Sequence, residues 1–301
     1  MSDAMKEISP VLRDIESLKG ELKREQRKIV IRRFLRNRTS AAGALILLFM
    51  LLCAALAPAV CPEGPYAMVM SERLAAPSAK HLFGADAFGR DLFARIMFGA
   101  RISMLIGGAV SLASLASGLV IGLYAAYFRR LDNVLMRICD SVNAIPAALL
   151  AIALMAVLGA STANVVISLS IIYTPALARV ARSSALSVKE STYVESMRAL
   201  GAGPGRIIWR HILPNIIGPV IVQASFIFAN AIITEAALSF LGVGVPIPQP
   251  SWGNILYEGK SVIYKASWMV VYPGAFTVLA VLGLNLFGDG LRDILNPKSR
   301  V

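Results

Sequence analysis

The chain has 301 residues, of which 56% are hydrophobic and only 16% charged, with a mean hydropathy of +0.66. A soluble domain is roughly half apolar and a quarter charged, so the composition excludes an ordinary soluble fold and indicates a polytopic membrane protein. The formal net charge of +12 is not the footprint of nucleic-acid binding. In the topology below, 23 of the 30 Lys and Arg fall on one side, the asymmetry of the positive-inside rule.

Residues 1–40 are polar, with Leu12, Ile15, Leu18 and Leu22 at helical spacing and a basic cluster at Arg32, Arg33, Arg36 and Arg38. They read as a cytoplasmic helical segment with its cations at the lipid headgroups, or as a helix that binds a dedicated partner. No early apolar run ends in a small-residue cleavage site, so no removable signal peptide is expected. The first span is Thr39–Val60. A polar excursion, Cys61–Arg101, is poor in strand signals and leads to a second span, Ile102–Phe128, stopped by Arg129, Arg130 and Asp132. No charge occurs from Ser141 to Ala178, and Gly159 to Asn164 break that stretch into a hairpin of spans Val134–Leu158 and Ala163–Val180. A charged segment, 181–214, precedes the fifth span, Ile216–Leu241. The loop Gly242–Ser267 then leads to the sixth span, Trp268–Gly288. Six spans starting inside place both termini and the 181–214 segment in the cytoplasm. The chain thus divides into a cytoplasmic segment (1–40), a first helix with its outer stretch (41–101), a five-helix core (102–289) and a tail (290–301).

The 181–214 segment reads as two short helices lying across the membrane face. Ser187 with Glu190 forms a capping box, Gly201 supplies the left-handed residue that ends the first helix, and Pro204 suits the first turn of the second. The run Tyr193–Asn215, YVESMRALGAGPGRIIWRHILPN, resembles the "EAA" loop of permease subunits in ATP-driven importers. The acid is Glu195, the glycine six positions on is Gly201, and the later pair is Leu213-Pro214. Ser196 and Met197 replace the small pair, and His211 stands where the family often has an aliphatic residue. A second stretch, Leu82–Met104, resembles the dipeptide, oligopeptide and nickel permease family at Gly84-Ala85-Asp86, Gly89-Arg90-Asp91 and Gly99-Ala100-Arg101-Ile102-Ser103. A third block, Glu235 to Gly242 through Pro250-Ser251-Trp252-Gly253, also fits. Together the blocks suggest the "C" member of a heterodimeric permease pair.

The resemblance implies an all-α, six-span type I importer permease fold in a bacterial inner membrane, with peptide as cargo. It implies a homologous permease chain, two cytoplasmic ATPases and an extracytoplasmic binding protein as partners. Glu195, Arg198, Ala199, Gly201, Arg206, Leu213 and Pro214 would then couple to an ATPase, with Arg179 and Arg182 adding cations just upstream. ATP and Mg would be held by the ATPases and no cofactor by this chain. Nickel chelates, metallophores and peptide antibiotics remain alternative cargoes. Acids inside apolar runs are costly, so Asp140 with Asn143, and Glu235 with Asn230, mark either a translocation pathway or interhelical packing. Those acids alone would also allow a proton-coupled transporter, against which the 181–214 segment argues.

Gly253 to Ser261 nearly spells a P-loop, but it has five residues between its glycines, follows no strand and lies on the outer side. His81 and His211 are isolated in sequence from metal-ligand partners. Cys53, Cys61 and Cys139 show no paired spacing, so neither a disulfide framework nor a metal site is expected.

Overall fold

The computed structural model describes residues 37–295, and among these the chain is built of helices with a single isolated β-bridge, Ala85 to Asp91. The helical reading of Leu12 to Leu22, the cations Arg32, Arg33 and Arg36, and the end of the 290–301 tail lie outside the described residues. Helix α1 is Arg38–Val60, α2 Leu92–Tyr127, α3 Arg129–Asn143, α4 Ala147–Leu158 and α5 Thr162–Lys189. After α6 (Thr192–Ala199), a single turn at Pro204–Arg206 and a π-helical turn at Ile207–Ile212 run into α7, Leu213–Phe240. Helices α8 (Trp252–Gly259) and α9 (Trp268–Leu295) complete the fold. Helix starts carry side-chain caps: Asn37, Asp91, Ser161 and Ser251 accept from backbone amides of the first turns of α1, α2, α5 and α8. Each cap satisfies a donor that has no intrahelical partner.

Five helices are long and apolar enough to cross a membrane: α1, α2, α5, the run from Pro204 through α7, and α9. The sixth expected span differs from the sequence reading. Instead of one helix over 134–158, α3 and α4 meet at a 92° bend. Pro146 sits at the break; it cannot donate a backbone bond and its ring pushes Ile145 away from the helical region. The 12 residues of α4 reach only ~18 Å, short of the ~30 Å hydrocarbon core. Helix α3 therefore stands at about a right angle to α4, and the break sets the direction of the α4–α5 hairpin.

Helix α2 is the centre of the packing and touches α1, α5 and α7. Its contact with α5 is very close: a Cβ on Gly122 would stand 2.5 Å from the Ala178 carbonyl oxygen. Water cannot drive helices together inside a bilayer, so backbone proximity at small residues supplies the attraction. Two apolar clusters fill the remainder. One joins α2, α5 and α7 through Val110, Leu169, Leu177 and Ile216. The other joins α1, α2 and α9 around Met50, Ile96, Trp252 and Leu284.

The 61–91 stretch forms an ordered cap over the outer ends of the helices. Asp86 and Glu258 bind Arg90 and Arg95 in a buried cluster: Arg90 Nε donates to Asp86 at 2.5 Å, Arg90 Nη2 to Glu258 at 2.6 Å and Arg95 Nη1 to Asp86 at 2.8 Å. Buried charges persist only when paired and hydrogen-bonded, and here the pairing joins the cap to α2 and α8. At the cap's rim, His81 Nδ1 lies 2.8 Å from Asp91 and Nε2 2.8 Å from Glu72, which also pairs with Lys80. The carboxylates occupy opposite ring nitrogens, an arrangement for a clamped imidazolium rather than a chelated metal.

Two predictions arise from this packing. Gly122→Ala should overpack the α2–α5 contact by about 1–3 kcal/mol and lower the thermal unfolding midpoint in detergent; an unchanged midpoint would contradict that contact. The hydrogen bonds from Asp91 and then Glu72 raise the His81 pKa in the folded chain. A raised folded value gives stabilisation that is complete below the unfolded value of about 6.5 and is lost as pH rises through the folded one. Amide protection of the cap should fall over that window, and His81→Gln should flatten the dependence.

Candidate functional site

Two groups of residues carry the features singled out in the sequence, one on each face. On the basic face, α6 is a short helix slung between α5 and α7. Val194 is fully buried and pins it to the bundle. Tyr193 Oη donates to the His211 carbonyl at 3.0 Å, and Asn215 Nδ2 donates to both groups at 3.0 and 2.7 Å. The helix ends where the glycine predicts. Gly201 has φ of 80°, its amide donates to the Arg198 carbonyl, and the Ala202 amide donates to the Met197 carbonyl. That pair of bonds is a Schellman closure, which needs a left-handed residue.

Beyond it, Pro204 opens the next turn. The π-helical turn, Ile207–Ile212, then precedes Pro214, with the Leu213 amide reaching back to Ile208. Pro214 lacks an amide and would crowd the Arg210 carbonyl in a regular helix, so widening the turn relieves the clash. Buried Ile207, Ile208 and Ile212 hold this turn against the bundle. Such π turns recur at functional sites.

Around this scaffold the solvent-facing side chains are Glu195, Arg198, Ala199, Arg206 and Arg210. Leu200 is 79% exposed, and an open groove runs between Met197, Leu200, Gly201, Arg206, Arg210 and His211. Pro214 is exposed and Leu213 half-buried at the start of α7. The site is thus an apolar knob and an acid on one short helix, with two cations on the next turn.

The cations upstream have other partners. Arg182 grips Asp132 with two bonds of 2.5 and 2.6 Å, and Arg179 Nη2 lies 2.7 Å from Asp140. Lys189 Nζ donates to the Ala126 and Tyr127 carbonyls at 2.8 and 3.1 Å, closing the end of α2, and Arg198 lies over the Tyr127 ring. Arg179 and Arg182, expected to add to the exposed charge, instead brace α5 against α3. The Ser187–Glu190 capping box is absent because α5 continues to Lys189; Glu190 ends that helix and Ser191 precedes the next.

The structure separates the proposed intramembrane polar residues. Asp140 is exposed on α3, on the far side of the bend from the apolar α4, with Asn143 at the same helix's exposed end. Asn230 is exposed on α7, where its carbonyl accepts from Tyr173 Oη at 3.3 Å. Glu235 is completely buried. Ser103 Oγ donates to it at 3.1 Å and Ser239 Oγ at 2.8 Å, and the Ser251 hydroxyl also faces it. Ser103 and Ser239 in turn accept from the Trp252 and Val245 amides at 3.3 and 3.1 Å.

Glu235 is therefore a junction of α2, α7 and the outer loop, and these four residues do not converge on one site. The junction explains the motif blocks that precede the second span and follow the fifth. Trp252 Nε1 donates to the Ile96 carbonyl, and a Cβ on Gly99 would stand 3.1 Å from the Trp252 ring. Ser103, Ser239, Ser251 and Arg95 were visible in sequence only as members of those blocks, and Glu258 only within the near-P-loop run. The near-P-loop is helix α8 followed by a 3₁₀ turn, with Lys260 Nζ 4.0 Å from the centre of the Tyr257 ring.

Comparison with known proteins accounts for both groups. Residues 118–301 match the family described as binding-protein-dependent transport system inner membrane component. Residues 25–77 match the N-terminal TM domain of oligopeptide transport permease C. The chain is 44% identical over 273 residues to a Brucella suis protein provisionally named a peptide transport system permease, covering 91% of this chain and 92% of the relative. It is 42% identical over 266 residues to the dipeptide transport system permease DppC of Alkalihalophilus pseudofirmus, covering 88% of each. It is 41% identical over 269 residues to the glutathione transport system permease GsiD of Pectobacterium atrosepticum, covering 89% of each. In fold it is similar to a chain of the MetNI methionine ABC transporter solved in inward-facing conformations, with a TM-score of 0.57 and 17% identity over 67% of this chain and 96% of that one. The chain belongs to the binding-protein-dependent transport permeases of the inner membrane, and its N-terminal portion is that of the oligopeptide permease C type.

Proposed function

We propose that this permease is one half of the translocation unit of an ATP-driven importer of short peptides. The observation that carries the reading is the α6 element. It is exposed on its outer side, closed at Gly201, and fastened at both ends to long membrane helices. Relatives at 41–44% identity are named as peptide, dipeptide and glutathione permeases, which supports a small peptide as cargo. A second, homologous permease chain would complete the pathway, and an extracytoplasmic binding protein would deliver substrate to the outer face. Two cytoplasmic ATPases would hold the ATP and Mg.

In this reading the chain performs no chemistry. Leu200 and its apolar surroundings would seat in a groove of one ATPase, while Glu195, Arg206 and Arg210 would fix the register through charge pairs at the rim. Closure of the ATPases would then push α6. Because α6 is pinned by Val194 and Tyr193 and joined by two residues to α5 and by the short 200–203 turn to the run into α7, the push would reach both helices.

Glu195→Arg should reduce peptide uptake in proteoliposomes at least tenfold, since a reversed charge leaves a rim pair repulsive. Gly201→Pro should abolish uptake, because proline fixes φ near −65° where the closure needs a positive value. Membrane insertion should be unchanged in both. Wild-type uptake rates by either well-inserted variant would refute the coupling role of α6.

A further inference from the structure

Helix α3 is the one membrane-facing element whose shape the transport reading does not use, and its charges are distributed unusually. Its two acids are both taken up by α5: Asp132 by Arg182 and Asp140 by Arg179. Its three arginines, Arg129, Arg130 and Arg137, are exposed and form no ion pair among the described residues. The acids of the helix are thus paired to α5, while its arginines stay open to solvent, Arg137 beside the groove that holds Asp132 and Asp140.

The apolar side of α3 is also unpartnered. Leu131, Val134 and Ile138 recur at i, i+3 and i+7, which places them on one stripe. They are 41%, 57% and 57% exposed, whereas Cys139, about 100° round the helix from Ile138, is buried against the bundle. Arg130 and Arg137 are separated by seven residues, two helical turns, and so sit together along one flank of that stripe. Because α4 packs in a hairpin with the spanning helix α5, the 92° bend sets α3 across the direction of the spans, and the capping of α2 by Lys189 places α3 at the same face as α6. An apolar stripe flanked by arginines, in the plane of the membrane, is the pattern of a helix seated at the boundary of acyl chains and headgroups.

We propose that α3 is an interfacial anchor that binds anionic phospholipid headgroups of the cytoplasmic leaflet, with Leu131, Val134 and Ile138 set into the acyl boundary and Arg130 and Arg137 on the phosphates. The lipid surface, rather than a protein groove, is favoured by continuity. The stripe begins four residues after Tyr127, the end of a membrane-crossing helix, and leads into the apolar α4, so it shares their solvent. The Arg182–Asp132 and Arg179–Asp140 pairs then transmit the anchor's position to α5, the helix that carries α6. Anionic lipid would in this way set the resting position of α6.

The test uses the full-length protein in lipid nanodiscs containing phosphatidylglycerol and phosphatidylcholine, with bound lipid counted by native mass spectrometry after gentle release. A surface-potential contribution of about 1 kcal/mol per arginine corresponds to roughly fivefold in affinity. Arg130→Gln/Arg137→Gln should therefore lower the preference for phosphatidylglycerol about 25-fold, while Lys260→Gln/Lys265→Gln, an equal loss of charge elsewhere, should leave it unchanged. Spin labels at Val134→Cys and Asn133→Cys, in a background with the native cysteines replaced, add an independent readout. The Val134 label should be accessible to oxygen and not to a water-soluble relaxant, and the Asn133 label the reverse. An undiminished phosphatidylglycerol preference in the arginine double variant would overturn the proposal. So would a Val134 label shielded from both reagents, which would assign the stripe to a protein partner, or one open to the aqueous relaxant.

Discussion

Everything on the basic face depends on how α5 is held. This helix is joined by only two residues to α6, so any freedom at its end would be freedom of α6 as well. Three contacts remove it. Glycine allows α2 to approach α5 to backbone distance at Gly122, Lys189 ties the end of α5 to the last carbonyls of α2, and the bidentate Arg182–Asp132 pair fixes it to α3. None is strong alone, since half-exposed ion pairs contribute about 0–1 kcal/mol each. Together they give α5 a single position relative to two neighbours, which a lever requires more than stability.

The outer face is built on a different principle. There the chain buries charge in the Asp86–Arg90–Arg95–Glu258 cluster and a carboxyl group at Glu235. A carboxyl surrounded by serine hydroxyls in a fully buried setting is costly to misplace, so it specifies one arrangement of α2, α7 and the 242–254 loop. The two faces thus divide the work. Buried polar junctions fix the outer helix ends in register, while the inner ends are clasped by pairs that remain partly open to water.

Much of this was legible in the sequence. Hydropathy located five of six spans, and Gly201 and Pro204 gave the turn between the two short elements, because left-handed glycine and N-terminal proline act locally. What was not legible was long-range. The uncharged run after Ser141 hid the bend at Pro146, since apolar residues suit a lipid-facing stripe and a spanning helix equally. Asp140 consequently looked like part of one continuous apolar span when it lies on a separate helix, paired with Arg179. Arg179 and Arg182 looked like part of an exposed basic loop, because their partners stand 39 and 50 positions away. The motif blocks pointed to the outer junction without revealing that Ser103, Glu235 and Trp252 meet there.

The central claim is that energy reaches this permease through a protein contact at α6. Its most direct test is to purify the tagged chain from native membranes in mild detergent, identify the proteins that accompany it, and reconstitute the material for peptide uptake. The account predicts a second six-span chain and two ATPases in the preparation, with uptake that requires ATP inside reach of those ATPases. Recovery of the chain alone, with uptake driven by a proton gradient and indifferent to ATP, would contradict it.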